Sequence, residues 1–466
     1  MSSLLIERIA ARSLTPILIL SICACGTRSS GDNGLDSADA GDLPPVFSAQ
    51  SRIILAALSP EALPAPPPDV TNQFADNPQA ASLGQVLFSD KGFSGPLLDS
   101  DNDGGPGSLG KVGDTGKVAC SSCHVPDGFS DTRSFQRQIS LGAGWGRRRA
   151  PSLLDVGQAK LIMWDGRRDT LYSQPFGPIE SVVEMNSSRL YAAEQVFLRY
   201  KSDYESLFGP MPPLDDAAQF PPLSAQLTGC QPKNPTSPQP ACDGTFHGSP
   251  GDTAEFDGMS AANQEAVTRV VVNAGKAIGA YERTLTCGSS KFDAWVHGDA
   301  NALSASEQRG VQLFIGKGQC VSCHSGPFFS DQLFHNVGLK PSTVQQNFVD
   351  SNDQGAATGL AGAIADPLNS HGSFSDGDDG RLPSAPPSTS EGAFRTPMLR
   401  CVSMRPAFMH TGQIRTLDKA VAFFSAGGAS SGFPGKSEIR ALNLSTQEQA
   451  DLLAFLNSLT STSIVP

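Results

Sequence analysis

The sequence predicts a mainly α-helical protein made of two related halves with long loop insertions. Residues 264–285 carry apolar side chains at the spacing of one helix face. Ser304–Glu307 and Ser445–Glu448 are Ser-x-x-Glu capping boxes, which typically begin helices. No segment shows a convincing series of alternating strands. These observations favour a helical fold over a sheet-based one.

Length and composition limit the interpretation further. The chain has 466 residues, which gives room for two or three domains. Its net charge of −12 argues against nucleic acid as a partner. The 47 glycines and 35 prolines indicate long loops, which we place at 94–117, 210–262 and 350–392.

The N-terminal segment is typical of an export signal. Arg8 and Arg12 precede an apolar run at 16–24 that is too short to span a bilayer. A small residue before Cys25 resembles a bacterial lipobox, with 1–25 as signal and Cys25 lipidated; an ordinary secretory signal is the alternative. We expect a periplasmic or outer-membrane location, with membrane contact through the lipid only. Residues 26–70 read as a flexible tether.

Two copies of the pattern Cys-x-x-Cys-His lie 200 residues apart. Two thiols three positions apart can bond to the two vinyl groups of one haem, and the adjacent histidine reaches the iron. A zinc site would need further paired ligands, and a redox Cys-x-x-Cys needs no histidine. The motifs therefore predict two covalent haem c groups with two histidine iron ligands. The residues are Cys120, Cys123 and His124 for haem 1, and Cys320, Cys323 and His324 for haem 2.

The segments around the two motifs repeat. Gly84–Phe88 precedes the first motif and Gly310–Phe314 precedes the second, both with the pattern Gly-x-x-Leu-Phe. A Phe-Ser-Asp sequence follows each motif. This duplication predicts two cytochrome c-like helical domains, each with one haem c. We place the domains at 71–295 and 296–466.

Four cysteines lie outside the haem motifs and the signal, and an even number in an oxidising compartment suggests disulfides. Cys230 and Cys242 flank one proline-rich loop, so we pair them, which leaves Cys287 with Cys401. The sequence leaves the other two pairings open.

Further motifs carry a family resemblance. Gly146–Leu154 and Met163–Arg167 follow the first haem motif, and Phe394–Pro397 and Met409–Gly412 follow the second. In these segments the chain resembles the bacterial diheme cytochrome c peroxidase family, which includes the methylamine-utilisation diheme enzyme. The resemblance covers roughly residues 80–460.

The resemblance implies roles for three side chains. Trp164 matches the family tryptophan that relays electrons between the haems, and Gln174 and Glu184 match the polar pair of the peroxide pocket. A glutamate over an open haem can move a proton between the two peroxide oxygens. The alternatives are core packing for Trp164 and a solvated carboxylate for Glu184.

The chain departs from the family at both irons. Residues 125–163 contain no histidine, so the histidine that caps the catalytic iron in many members is absent and haem 1 is expected to be five-coordinate or water-bound. Phe424 falls on the position of the second axial ligand of haem 2, and phenylalanine cannot bind iron. Met409 is our preferred substitute, with core packing as its alternative role. The other candidates are Met398, Met404 and His410.

A calcium site is a third departure. The family binds calcium partly through an asparagine in an Arg-Asn-Ala-Pro segment, and the equivalent position here is Arg149, whose charge a Ca²⁺ site would hardly accommodate. Asp99–Gly104 looks like the start of a calcium loop, but Gly110 stands at its twelfth position. We favour a solvated acidic loop.

Together these features predict a diheme peroxidase that reduces hydrogen peroxide to water. The expected electron donor is a small cytochrome c or a cupredoxin, and a second copy of the chain is a candidate partner. One alternative is an oxidase that modifies a partner protein by long-range radical transfer. Another is a diheme electron carrier without catalysis.

Overall fold

The computed structural model describes residues 45–133, 137–232, 242–343, 348–461 and 464–465. Helices make up 34% of the described residues, which contain little sheet, and this confirms the mainly α-helical prediction. The signal and the lipobox at 1–25 lie outside the described residues. Within the described ranges, no helix combines the length and the apolar character needed to cross a bilayer.

Short and long helices alternate with extended loops. The helices are α1 Ala49–Leu58, α2 Pro78–Ser89, α3 Cys120–Cys123, α4 Phe176–Ile179, α5 Arg189–Phe208, α6 Ala261–Glu282, α7 Lys291–Val296, α8 Ala305–Ile315, α9 Ala356–Ala365, α10 Leu417–Ala426 and α11 Thr446–Ser458. The strands are β1 Gly229–Pro232, β2 Cys242–His247, β3 Thr286–Cys287, β4 Phe334–His335, β5 Phe394–Arg395 and β6 Ile464–Val465. They form antiparallel pairs β1–β2, β3–β6 and β4–β5.

The predicted helices form where their local signals place them. Helix α6 covers most of the predicted 264–285 segment and begins after the N-cap Ser260. Helices α8 and α11 begin at the two predicted capping boxes, in which the Ser and Glu side chains each bond the other's backbone N–H. These predictions are confirmed.

Helix α1 corrects the predicted tether. Residues 26–44 lie outside the described residues, but 49–58 form a helix capped by Ser48, whose hydroxyl accepts from the Ser51 N–H at 3.1 Å. Leu55 and Leu58 are buried in the second core cluster described below. The prediction of a tether is therefore wrong for this part, because apolar residues at helical spacing within a polar segment form a packed face.

Two hydrophobic core clusters support the two haem motifs. The first is built mainly from α2, α5 and α6, and the second from α1, α7, α8, α10 and α11. The repeated glycines explain the main crossings: a Cβ on Gly84 would lie 2.0 Å from the Ala277 carbonyl oxygen, and one on Gly310 would lie 2.1 Å from that of Asp451. Each repeat thus packs one helix closely on another. The boundary between 295 and 296 stays a prediction.

The disulfide predictions can be tested in part. Cys287 and Cys401 form a disulfide with a Cα–Cα distance of 5.9 Å, which confirms that pair. Cys230 is also disulfide-bonded. The side chain of Cys242 lies outside the described residues, so the Cys230–Cys242 pairing stays a prediction.

The predicted loop insertions differ in character. Segment 94–117 has no helix or strand. Segment 210–262 contains the β1–β2 pair, and segment 350–392 contains α9, so these two insertions are partly regular.

Candidate functional site

The two Cys-x-x-Cys-His motifs are followed by the same local geometry. His124 Nδ1 lies 3.3 Å from the Phe129 carbonyl oxygen, and His324 Nδ1 lies 2.9 Å from that of Phe329. Both phenylalanines have positive φ, which turns the chain back over the imidazole. A carbonyl can only accept, so each Nδ1 carries the hydrogen and each Nε2 is left for iron.

Both imidazoles are held in the neutral form. Burial lowers the pKa of His124, and it lowers the pKa of His324 to about 4, although the Phe129 and Phe329 carbonyls act in the opposite direction. A neutral ring is the form that binds a metal.

A cavity of about 500 Å³ lies beside the second motif. Its volume falls within the usual range for cofactor pockets. Cys320, Cys323 and His324 line it, and apolar side chains from α8, α10 and α11 form the rest of the wall on that side.

Two arginines in the same cavity support the fit to haem. Arg395 and Arg405 are partly buried, and burial lowers the pKa of each to about 10. The buried Nε of Arg405 has no hydrogen-bond partner, and neither guanidinium forms a salt bridge with a carboxylate among the described residues. Haem c carries two propionates, which would pair with such cations. The thiols, the imidazole and the two cations therefore fit one haem c.

The remaining cavity wall contains the candidate distal ligands of haem 2. Phe424, Met398 and Met409 all line the cavity, as does His410. Met404 packs against the first core cluster instead, away from the cavity lining. Met409 as an iron ligand stays a prediction.

Glu184 lies close to the first motif. Its backbone carbonyl accepts from Ala143 N at 2.7 Å, which fixes its position. Burial raises the pKa of its carboxyl, opposed by the Arg167 charge and a hydrogen bond from Ser181.

The Glu184 charge also affects the pKa values of the two thiols of the first motif. Burial raises the pKa of Cys120 and of Cys123 to about 12, and the charge of Glu184 adds to the shift of both. The Glu184 carboxyl is thus within electrostatic range of both haem 1 thiols and is partly buried. Its role in the peroxide pocket stays a prediction.

Gln174 lies in the turn just before α4, and its Nε2 is 3.8 Å from the sulfur of Met163. Among the described residues no hydrogen bond joins Gln174 to Glu184. The structure therefore places Gln174 beside the turn that carries Trp164, and Glu184 beside the haem 1 thiols.

Trp164 lies at the junction of the two halves. Its Nε1–H donates to the Arg149 carbonyl at 2.8 Å, and its own carbonyl accepts from Arg395 N at 2.8 Å. Its side chain lines the haem 2 cavity and is half-buried. This position agrees with a residue between the two haem sites.

The junction contains an internal repeat that the sequence reading missed. Ile162–Gly166 (Ile-Met-Trp-Asp-Gly) and Phe408–Gly412 (Phe-Met-His-Thr-Gly) form equivalent turns. Met163 and Met409 have φ of 67° and 68°, and the glycine that ends each turn also has a positive φ. Only the methionine and the glycine are shared, which is too little to detect by sequence alone.

The backbone contacts of these turns are also equivalent. Arg395 N donates to the Trp164 carbonyl, and Arg149 N donates to the His410 carbonyl, both at 2.8 Å. Each arginine begins an Arg-x-Pro-x-Leu sequence in its own half. Trp164 and His410 are thus structural counterparts, and the two halves exchange contacts in a symmetric way.

The chain is similar in sequence to known diheme proteins. The sequence model of the family "Di-haem cytochrome c peroxidase" matches residues 78–225. Cytochrome-c peroxidase IdrP1 of Denitromonas iodatirespirans is 28% identical over 426 residues, covering 90% of this chain and 91% of the relative. Methylamine utilization protein MauG of Methylorubrum extorquens is 27% identical over 386 residues, covering 82% and 78%.

Along most of its length the chain is similar to proteins named as diheme or cytochrome c peroxidases and to MauG. The predicted resemblance is confirmed, and the family implies two haem c groups. The solved structure of the diheme peroxidase BthA from Burkholderia thailandensis E264 is similar in fold, with a TM-score of 0.56 and 22% identity over 87% of this chain and 96% of that one.

The family calcium site does not fit the residues at Arg149. Its guanidinium donates to the carbonyl oxygens of Gln138 at 2.8 Å and Arg133 at 3.3 Å, and also to that of Asp131. These are oxygens of the kind that bind Ca²⁺, and a positive side chain already bonds them.

The acidic loop at 99–104 differs from its prediction. Asp99 and Asn102 are buried, and Asp101 accepts from Arg137 at 2.9 Å and from Trp145 at 2.8 Å. The expected solvated loop is therefore wrong for Asp99 and Asn102, whereas Asp101 and Asp103 are exposed as expected. Asp101 and Asn102 fasten the loop to the segment at 137–145.

Proposed function

We propose that the chain is an exported diheme peroxidase that reduces hydrogen peroxide to water. The electrons would come from a small cytochrome c or a cupredoxin. The reaction consumes one peroxide, two electrons and two protons and yields two waters. The observation that carries the proposal is the partly buried Glu184 carboxyl, whose charge acts on both thiols of the first haem motif.

Glu184 supplies the proton transfer. When bound, each haem supplies an iron that exchanges one electron, and haem 1 supplies an open coordination position. Glu184 accepts a proton from one peroxide oxygen and donates it to the other, so that the leaving oxygen departs as water. Gln174 assists as a hydrogen-bond donor to the peroxide.

Two features favour an open position at haem 1. No histidine occurs between 125 and 163. Met163, the counterpart of Met409, has its sulfur against Gln174 Nε2. Haem 1 is therefore proposed to lack a protein ligand opposite His124.

Trp164 is proposed to relay electrons from haem 2 to haem 1. The turn that carries it is rigid because Asp165 bonds Arg148 at 2.5 Å and Arg167 at 2.9 Å. Although burial acts in the opposite direction, the charges of Arg167 and Arg148 lower the pKa of Asp165 and keep it ionised. A fixed indole between two redox centres suits electron transfer.

Export is proposed from the N-terminal segment. The Cys287–Cys401 disulfide supports it, because such bonds persist in oxidising compartments such as the periplasm. A lipid at Cys25 would be the membrane anchor, and a homodimer is a proposal without a specific contact behind it.

An oxidase that modifies a partner protein is the second candidate. Phe424 stands where the family has a ligating Met or Tyr, and it lines the haem 2 cavity. The similarity to MauG also points this way. A pure electron carrier is less consistent with the partly buried carboxyl at Glu184.

The test mixes the diheme protein with hydrogen peroxide and a reduced small cytochrome c. Steady turnover of the cytochrome supports the peroxidase. A stable oxidised product without turnover supports the oxidase, and no reaction supports the carrier. Glu184→Gln should lower kcat/KM for peroxide about 10²- to 10⁴-fold. The exposed Glu265→Gln is the matched control and should leave the rate unchanged.

A further inference from the structure

Arg149 connects three parts of the junction. Its backbone N–H bonds the His410 carbonyl, and its carbonyl accepts from Trp164 Nε1, both at 2.8 Å. Its guanidinium bonds the carbonyls of the loop that follows the haem 1 motif. One residue therefore contacts the haem 1 loop, the proposed electron relay and the haem 2 side.

The guanidinium is a buried cation whose partners are backbone oxygens. No salt bridge joins Arg149 to a carboxylate among the described residues, and the nearby Asp131 carboxylate is bonded by Arg133 at 3.0 Å. A buried charge is costly unless its environment supplies compensating dipoles. The three converging carbonyls supply them, as they would for a metal cation.

Gly412, in the C-terminal half of the chain, leaves space for the Arg149 side chain. A Cβ on Gly412 would lie 2.5 Å from Arg149 Cδ and 2.5 Å from the Gln138 carbonyl oxygen. Gly412 also has φ of 64°, so its turn favours glycine. The arginine stem thus fills a space formed jointly by both halves.

We propose that Arg149 is a positioning residue whose guanidinium acts as a built-in cation, so that the haem–haem junction needs no divalent metal. It fixes the haem 1 loop against Trp164 and thereby sets the path between the haems. The expected effect on electron transfer rests on the proposed relay role of Trp164. The proposal that Arg149 replaces a divalent metal does not depend on that role.

The experiment uses the full-length diheme protein. The readouts are the unfolding temperature and the rate of electron movement between the haems after photolysis of CO from half-reduced protein. Wild type should give the same values in EGTA and in millimolar Ca²⁺. In EGTA, Arg149→Asn should slow electron movement between the haems about tenfold, the size of effect seen when residues that orient a metal ligand are removed. Ca²⁺ should restore the rate, because the backbone carbonyls and the new amide oxygen can bind the ion.

Two variants complete the design. Arg149→Lys should keep most of the rate in EGTA because it retains a positive charge, and the exposed neighbour Arg147→Asn is the control and should match wild type. The inference is overturned if EGTA lowers the unfolding temperature of the wild type and Ca²⁺ restores it. This test uses the wild type alone and does not depend on the folding of a variant. The inference is also overturned if Arg149→Asn transfers electrons as fast as the wild type in EGTA. It is likewise overturned if Arg149→Asn transfers electrons more slowly and Ca²⁺ does not restore the rate.

Failure of the relay itself is distinguishable. Trp164→Phe that leaves the electron movement unchanged contradicts the role proposed for Trp164. In that case the unfolding temperatures in EGTA and Ca²⁺ alone decide the inference on Arg149.

Discussion

Glu184 shows how a single side chain acquires its chemistry from its surroundings. Its segment accepts backbone hydrogen bonds from Ala143 and Gly144, and Gly142 is required next to them because a Cβ would lie 2.5 Å from the Glu184 carbonyl oxygen. Burial then raises the pKa of the carboxyl. A carboxyl whose pKa moves towards neutrality is a better proton carrier at physiological pH than an ordinary one.

This residue predicts a pH dependence. Glu184 must be ionised to take a proton from peroxide, and its pKa lies above the usual value near 4.5. The rate should therefore be full above this raised pKa and fall as the pH drops through it. A kcat/KM profile for peroxide should show an acid limb at a higher pH than an ordinary glutamate would give. Glu184→Gln should lack that limb, and an unchanged limb in the variant would exclude Glu184 as its source.

At the scale of elements, the repeated glycines determine how the helices cross. Gly84 lets α2 approach α6, and Gly310 lets α8 approach α11, in both cases at distances that leave no room for a Cβ. The second haem motif follows α8 closely, whereas the first forms its own short helix α3 after the 94–117 loop. The duplication visible in the sequence is thus a duplication of helix packing.

Gly310→Ala should destabilise the protein by about 1–3 kcal/mol, because the new methyl overpacks the α8–α11 contact. Gly362→Ala on α9 is the matched control, since nothing lies within 4 Å of its Cβ position. The control should be neutral or stabilise by about 0.5–1 kcal/mol. Urea unfolding of the diheme proteins measures both. A neutral Gly310→Ala would contradict the close crossing.

The whole molecule is joined across its two halves by a covalent link. The Cys287–Cys401 disulfide closes a separation of 114 residues and links the end of the first predicted domain to a residue of the second, with both cysteines in the first core cluster. A loop of this length corresponds to about 4–5 kcal/mol of lost entropy in the unfolded chain.

Cys287→Ala with Cys401→Ala should therefore lower the free energy of unfolding by about 2–5 kcal/mol. Urea unfolding with and without reductant measures it, and reductant should destabilise the wild type much more than the double variant. Equal effects of reductant on both proteins would show that this bond does not provide the stability.

Sequence reading works here where the signal is local. The haem motifs, the capping boxes at Ser304 and Ser445 and the Cys287–Cys401 pair depend on short patterns or on counting. Helix α1 was missed because a polar composition hid its apolar face. The contacts of Arg149, the partly buried Arg395 and Arg405 and the repeated turns at Met163 and Met409 depend on tertiary packing, which no local pattern reveals.

The two haem sites are proposed to be unequal. His124 is proposed to carry the open, reactive haem beneath Glu184. His324 is proposed to carry the electron-accepting haem, in a cavity that Met409 and Phe424 line.

Electron paramagnetic resonance of the oxidised, as-isolated diheme protein tests this inequality most directly. We predict a high-spin ferric signal from one haem and a low-spin signal from the other, with the high-spin signal perturbed by Glu184→Gln. Two low-spin signals and no high-spin ferric signal would contradict the open haem 1 and, with it, the proposed peroxidase site.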